Sequence, residues 1–132
     1  MKSSERENYV RYRLEKSEET YEVAELLVKH EKWNSAVNRL YYAAYYAVTG
    51  LLVIAEIPTK THTGVKTQFF QNYIKPGKID VKMGKLYADL FDWRQRGDYG
   101  DFFDFTQKDV EPLMEPTKEL IEAIKREVEK EE

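Results

Sequence analysis

The stretch RQRGDY, Arg94 to Tyr99, concentrates charged and phenolic side chains within six residues. Guanidinium groups bind phosphate through a planar fork of N–H donors. Arg94 follows Leu90 by four residues, on the extension of an apolar helical stripe, so we expect it to point inward. An inward arginine needs a counter-charge, and Asp98, four residues later, is the predicted partner. The stretch is therefore either a structural Arg–Asp pair or the mouth of a groove that includes Tyr99.

A second arginine lies among tyrosines, because Arg39 precedes Tyr42 and Tyr46 by three and seven residues. This spacing predicts a guanidinium lying across aromatic rings, as packing or as part of a site. His62 follows Thr61 at a predicted helix start, where free amides favour anions. It is either a packing residue or a phosphate contact. The candidate ligand-binding residues are Arg39, Tyr42, His62, Arg94, Asp98 and Tyr99.

Charge and composition exclude several classes of site. The net charge is −3, but residues 57–88 carry six lysines and one aspartate, so this segment is +5 and the rest −8. The segment is either a solvated lysine face or a surface that attracts phosphates. Cysteine is absent, and neither histidine has a partner at metal-ligand spacing. We therefore predict no metal and no cofactor.

With 132 residues the chain has the length of one domain, residues 1–132. Its first ten residues contain no apolar block typical of a signal peptide. The longest uncharged run, residues 40–55, is shorter than the roughly 18–20 residues of a membrane span and contains four tyrosines. These features predict a soluble cytoplasmic protein.

Apolar residues at three- and four-residue steps predict five helices and no strand. The predicted helices run from Ser4 to near His30, from Asn34 to about Ala55, from Thr61 to Tyr73, from Val81 to Arg96, and from Thr106 onward. The fold class is therefore all-α: an antiparallel up-and-down bundle of four main helices plus one short helix.

Capping patterns set the expected helix ends. Ser4 with Glu7, Asn34, Thr61, and Thr106 with Asp109 are the predicted N-caps. Gly97 is the predicted stop of the fourth helix. Pro112 and Pro116 conflict with a smooth start of the fifth helix, so we expect a kink there or a later beginning.

Short motifs follow one another along the chain: AVNRLYYAAYYAVTGLL, THTGV, F-x-x-x-x-I-K-P-G-K, RQRGDY and DFF, before a closing amphipathic helix. In this order and spacing the chain resembles the HEPN (higher eukaryotes and prokaryotes nucleotide-binding) superfamily, in particular its small stand-alone prokaryotic proteins. The resemblance covers nearly the whole chain. It implies a helical bundle that usually dimerises and that frequently pairs with a minimal nucleotidyltransferase in a toxin–antitoxin arrangement.

Many HEPN proteins are metal-independent ribonucleases with an arginine followed, after four to six residues, by a histidine. By this resemblance Arg94 matches the arginine, and Tyr99 stands where the nearest histidine would be. No histidine follows Arg94 or Arg96 in the chain. Tyrosine, with a pKa of ~10, accepts a proton poorly compared with histidine at ~6.5. The departure predicts binding without RNA cleavage.

Three functions are therefore open. The first is a HEPN-like module that binds a nucleotide or RNA phosphate and acts with a nucleotidyltransferase partner. The second is a divergent ribonuclease that uses His62, and the third is a purely structural dimerisation module.

Ten tyrosines are more than one small core readily hides, and aromatic residues are enriched at interfaces. We therefore predict a homodimer.

Overall fold

The computed structural model describes residues 3–100 and 103–132, with Tyr99 described by its backbone alone. Within these ranges the chain forms five α-helices and no strand, which confirms the predicted all-α fold. The helices are α1 (Ser3–Lys29), α2 (Trp33–Ile54), α3 (His62–Phe69), α4 (Val81–Tyr99) and α5 (Gln107–Glu131). No described helix combines the length and the apolar character that crossing a membrane requires.

The central helix, α2, is antiparallel to both α1 and α4. The Ser17 hydroxyl of α1 donates to the Ala43 carbonyl of α2 at 2.6 Å, whereas Arg13, earlier in α1, packs near Gly50, later in α2. Helix α5 runs against α1, since the Tyr21 hydroxyl donates to a carbonyl in the second turn of α5 and Lys125 pairs with Glu18.

Small side chains allow close packing around α2. Its inward face contains alanines with no solvent exposure: Ala36, Ala43, Ala44 and Ala47. The predicted stripes of the other helices also supply the core, with fully buried residues such as Val10, Phe69, Leu90 and Leu120. Burial of a large apolar side chain stabilises the fold by about 1.5–3 kcal/mol, so these stripes hold the bundle together.

The short α3 begins as predicted, because the Thr61 hydroxyl accepts a hydrogen bond from the Gly64 amide at 2.9 Å. It continues into a π-helical turn, Phe70–Ile74, closed by the Lys75 amide donating to the Phe70 carbonyl at 2.8 Å. The wider turn keeps Phe69, Tyr73 and Ile74 buried together. Gly77, with φ of 81°, then reverses the chain toward α4.

Two predicted caps are wrong. Helix α1 begins at Ser3, so Ser4 lies within the first turn and not at the cap. Helix α2 begins at Trp33, and Asn34 binds the segment before α5 instead. The Asn34 side chain donates to the Phe103 carbonyl at 3.0 Å and accepts from the Phe105 amide at 2.7 Å. Asn34 has the side chain of a cap, but tertiary contacts use it.

The prediction about Gly97, and one of the two alternatives predicted for the prolines, also need correction. Gly97 does not end α4, which continues to Tyr99. A Cβ at Gly97 would approach the Phe105 ring to 3.0 Å, so this glycine allows close packing of α4 on the following segment. Helix α5 begins at the predicted Thr106–Asp109 capping box and includes both prolines, so the expected later beginning is wrong.

Candidate functional site

One face of α2 lies half-exposed between α1 on one side and α3 and α4 on the other. It presents three tyrosine rings, Tyr42, Tyr45 and Tyr46, which we call the aromatic strip. Their ring centres are 5.9–6.0 Å apart. Because the three residues recur at helical spacing, their half-buried rings lie side by side along one side of α2.

Arg94 approaches this face from α4. Its residue surface is only 8% exposed, as its position after Leu90 predicted. The guanidinium carbon lies 4.9 Å from the Tyr41 ring centre and 5.7 Å from that of Tyr42. Its buried Nε has no hydrogen-bond partner among the described residues. Ring faces therefore hold the guanidinium in place without using all of its donors.

Asp98 is a distant partner for Arg94. Its carboxylate oxygen lies 3.9 Å from Nη1 of Arg94, beyond hydrogen-bond length. The same oxygen accepts a hydrogen bond from the Asn38 side chain at 2.9 Å. Asp98 therefore joins α4 to α2 directly and only partly neutralises Arg94.

Arg39 precedes Tyr42 by three residues on α2 and contacts the Tyr42 ring, which Arg94 also contacts. Its guanidinium carbon lies 5.2 Å from the Tyr42 ring centre, in agreement with the predicted packing. Nε and Nη2 of Arg39 donate to the Asn38 side-chain oxygen at 3.0 and 2.8 Å. The structure thus places two guanidinium groups against one tyrosine, with Asn38 linking Arg39 to Asp98.

His62, at the first turn of α3, joins the same cluster. Its Nδ1 is 2.7 Å from the Tyr41 hydroxyl, and its ring stacks on Tyr45 with centres 4.4 Å apart and planes 7° from parallel. Burial, followed by the positive charge of Arg94, lowers the pKa of His62 below its usual value of 6.5. The imidazole is therefore neutral at pH 7.

The proton on His62 has two possible positions. Burial raises the pKa of Tyr41, so its phenol keeps its proton. If Tyr41 donates to Nδ1, Nε2 carries the imidazole proton; if Nδ1–H donates to Tyr41, Nε2 is a free acceptor. The position of this proton therefore decides whether Nε2 is a hydrogen-bond donor or an acceptor.

The structure thus brings together Arg39, Tyr42, His62, Arg94 and Asp98. Of the predicted set, Tyr99 lies in the last turn of α4, and its side chain falls outside the described part of the chain. Ligand binding by these residues stays a prediction. No group of three or more histidine or carboxylate side chains suited to a metal occurs within residues 3–100 and 103–132.

Sequence reasoning missed three residues of the cluster: Asn38, Tyr41 and Tyr45. Tyr41 contacts both Arg94 and His62, and Tyr45 is the stacking partner of the histidine. The signal for the two tyrosines was the doublet pattern YY-AA-YY, residues 41–46, which places several tyrosines on one side of α2.

The lysine-rich segment spreads over several surfaces. Lys78 lies over the Tyr73 ring and Lys85 pairs with Asp89 at 3.0 Å. Lys66 is connected to the cluster through aromatic contacts, because its ammonium lies 4.7 Å from the centre of the Phe91 ring, which packs on Tyr41.

The sequence profile of the HEPN domain matches residues 10–128 of this chain. The chain belongs to the HEPN domain family. It is 33% identical over 126 residues to a UPF0332 protein of Thermotoga maritima, with 96% of each chain covered. It is also 33% identical over 101 residues to a Methanocaldococcus jannaschii protein whose name reads "Putative toxin", covering 76% of this chain and 69% of that protein. A UPF0332 protein of Gloeobacter violaceus is 25% identical over 87 residues, covering 66% of this chain and 69% of that protein.

Proposed function

We propose that this HEPN domain binds the phosphate of a nucleotide or RNA at Arg94 and Arg39 and acts as part of a toxin–antitoxin-like pair without cleaving RNA itself. The buried Arg94 carries this proposal. Its Nε has no described hydrogen-bond partner, and the nearest carboxylate oxygen among the described residues is 3.9 Å away. A phosphate would supply the close counter-charge that Asp98 provides only in part.

A buried charge without a close counter-ion favours an anionic ligand. An unsatisfied buried donor costs about 1–3 kcal/mol, and a phosphate binds a guanidinium fork through two parallel hydrogen bonds. Arg39 lies against the same Tyr42 ring and adds a second positive charge. Phosphate binding would therefore offset part of the free-energy cost of burying the Arg94 charge.

The partner proposal rests on relatives and on family membership. Two Methanocaldococcus jannaschii relatives carry the word toxin in their names. HEPN proteins resembling this chain frequently pair with a minimal nucleotidyltransferase, and we propose such a partner here. We also propose a homodimer, because apolar and aromatic side chains remain on the surface, among them Tyr12 and Leu26 at 56% and 57% exposure.

Titration calorimetry with adenosine monophosphate tests the binding site. Arg94→Ala should weaken binding about tenfold or more, since a charge-assisted hydrogen bond contributes about 1.5–3 kcal/mol. Arg96→Ala is the matched control, because Arg96 lies on the same helix but is exposed. Equal affinity of the Arg94→Ala variant and the wild type would overturn the proposal.

A divergent ribonuclease is the second candidate, and the position of His62 favours it. His62 contacts Tyr41 and Tyr42, the two rings that also contact Arg94. A neutral imidazole with a free Nε2 could accept the proton of a 2′-hydroxyl. Against this, one of the two proton arrangements leaves Nε2 as a donor, and no second histidine is present in the cluster as described.

RNA cleavage assays decide between the two candidates. Purified protein is incubated with single-stranded and structured RNA in the presence of EDTA, which removes metal-dependent contaminants. We expect no cleavage above the level of a His62→Gln variant. Cleavage that is lost in both His62→Gln and Arg94→Ala, but retained in Arg96→Ala, would establish the ribonuclease instead.

A further inference from the structure

Arg13 forms a second arginine–tyrosine cluster on the exposed face of α2. Nε and Nη2 of Arg13 donate to the Tyr9 hydroxyl at 2.9 and 2.6 Å. Its guanidinium carbon lies 5.1 Å from the Tyr9 ring centre and 5.5 Å from that of Tyr46. Within the described residues, no carboxylate is within ion-pair distance of Arg13. The side chains of Tyr9 and Tyr46 therefore hold this charge in place.

The hydrogen-bonding groups that Arg13 and Tyr9 leave free are donors. A phenol oxygen has two acceptor lone pairs and one proton. Arg13 occupies both lone pairs of Tyr9, so the Tyr9 O–H is left to donate. Two of the five N–H groups of Arg13 are engaged with Tyr9, and the others stay available. Such a combination suits an anion and offers little to a cation.

The aromatic strip connects the Arg13 cluster to Arg94. Tyr46, which contacts Arg13, has its ring centre 6.0 Å from that of Tyr42, which contacts Arg39 and Arg94. All three rings of the strip are half-exposed. Aromatic rings beside positive charges are the usual platform for single-stranded nucleic acid, because bases stack on the rings while cations contact the backbone.

From this arrangement we infer that the Arg13 cluster is a second phosphate subsite and that the ligand is a single-stranded RNA segment lying along the aromatic strip. One phosphate would bind at Arg94 and Arg39, and another at Arg13 with Tyr9. This rests on the proposed function, since the Arg94 site is one of the two. The competing explanation is that Arg13 only packs α1 against α2.

Fluorescence anisotropy with a labelled uridylate octamer, compared with competition by uridine monophosphate, tests the inference. The measured quantity is the affinity for the octamer divided by the affinity for uridine monophosphate. Arg13→Ala should lower this ratio about tenfold and reduce the salt dependence of octamer binding by about 0.7 in log–log slope. Arg11→Ala is the matched control, because Arg11 is exposed on another face of α1 and bonds only to Asn8 in the described structure.

Two further variants separate binding from folding. Arg13→Lys keeps the charge and most of the packing but loses the planar fork, and it should lower the ratio by a smaller factor than Arg13→Ala. Tyr9→Phe keeps the ring and removes the oxygen that orients Arg13, and it should also lower the ratio. Melting temperatures identify any variant that fails to fold, in which case Arg13→Lys supplies the result.

The outcomes separate the inference from the proposed function. An affinity ratio unchanged in all Arg13 and Tyr9 variants, or a wild-type octamer affinity no higher than that of the monophosphate, would overturn the inference alone. Octamer binding that depends on Arg13 but not on Arg94 would overturn the proposed site while leaving the Arg13 subsite in place. Absence of binding by both probes would overturn both. Tighter binding of uridine triphosphate than of the octamer would also overturn the inference, since it would assign both subsites to one nucleotide.

Discussion

The rings of Tyr41 and Tyr42 on α2 hold Arg94 in place. The partner predicted from the sequence was the carboxylate of Asp98. Its distance of 3.9 Å from Asp98 exceeds a hydrogen bond, whereas Asn38 binds the same carboxylate at 2.9 Å. A guanidinium between aromatic rings keeps its charge and its unused donors. At the scale of single residues, the molecule therefore separates the task of joining α4 to α2 from the task of holding a positive charge.

This separation predicts weak coupling between Arg94 and Asp98. Urea unfolding of the single and double alanine variants should give a coupling free energy below about 0.5 kcal/mol, as for a loose ion pair. The Asn38–Asp98 pair should give about 0.5–1.5 kcal/mol, the contribution of a hydrogen bond. An Arg94–Asp98 coupling larger than that of Asn38–Asp98 would show that the arginine serves the fold.

The environment of His62 predicts a pH-dependent stability. Its pKa in the folded state is depressed below 6.5, chiefly by burial and then by Arg94. Below pH 6.5 the unfolded chain therefore binds a proton that the folded chain binds only at lower pH. The free energy of unfolding must fall as pH decreases through this window.

Melting temperatures of the wild type and of His62→Gln, measured from about pH 7.5 down to about pH 5, isolate this effect from that of the carboxylates. The wild type should lose more stability than the variant over the window that begins near pH 6.5. His30→Gln is the control for loss of a histidine side chain at an exposed position. Parallel wild-type and His62→Gln profiles would contradict the assigned pKa shift.

Two glycines at helix contacts, Gly84 and Gly50, differ in whether the surrounding structure has room for a Cβ. A Cβ at Gly84 of α4 would lie 2.9 Å from Cγ2 of Ile74, a buried residue of the π-helical turn. A Cβ at Gly50 of α2 would meet its nearest neighbour, the Cβ of Arg13, at an ordinary 3.4 Å. Only the first position is closed to a methyl group.

These two distances predict opposite effects of the same substitution. Gly84→Ala should lower the free energy of unfolding by about 1–3 kcal/mol, because Ile74 must move within a packed core. Gly50→Ala should be neutral or stabilising by up to about 1 kcal/mol, since alanine is the better helix former. Chemical denaturation of both variants provides the comparison. Destabilisation of equal size at both positions would show that the contact with Ile74 is not the cause.

At the scale of the whole molecule, residues 57–88 are basic and the rest of the chain is acidic. Some apolar side chains also lie at the surface. Tyr12 and Leu26 of α1 are more than half exposed. Such side chains are enriched at protein interfaces. A second copy of the chain would remove part of this surface from water.

At this scale the expected outcome is a homodimer. Sedimentation velocity at protein concentrations of ~10–50 μM, where micromolar complexes form, should give a single species of twice the chain mass of 15.7 kDa. Leu26→Glu is a first probe of whether the outer face of α1 takes part, and Lys29→Glu is a control on the same exposed turn. A monomer throughout this range would contradict the prediction.

Local chemistry allowed much of the fold to be predicted from the sequence. The apolar stripes fixed the five helices, and the caps at Thr61 and at Thr106 with Asp109 were correct. Each depends on residues within about one helical turn of one another, where spacing determines geometry. The inward position of Arg94 followed from the same periodicity, because Leu90 and Arg94 lie on one face of α4.

Tertiary packing decided the rest. Asn34 has a capping side chain, but the segment before α5 offered it better-placed partners. Gly97 is a residue type that often ends helices, but it lies within α4, where its lack of a Cβ allows close contact with Phe105. His62 and Arg94 come from separate helices and meet over Tyr41 only because α2 packs against both α3 and α4. No spacing along the chain encodes such a meeting: the sequence determined which faces are buried, and the packing of α2 determined which functional groups share a site.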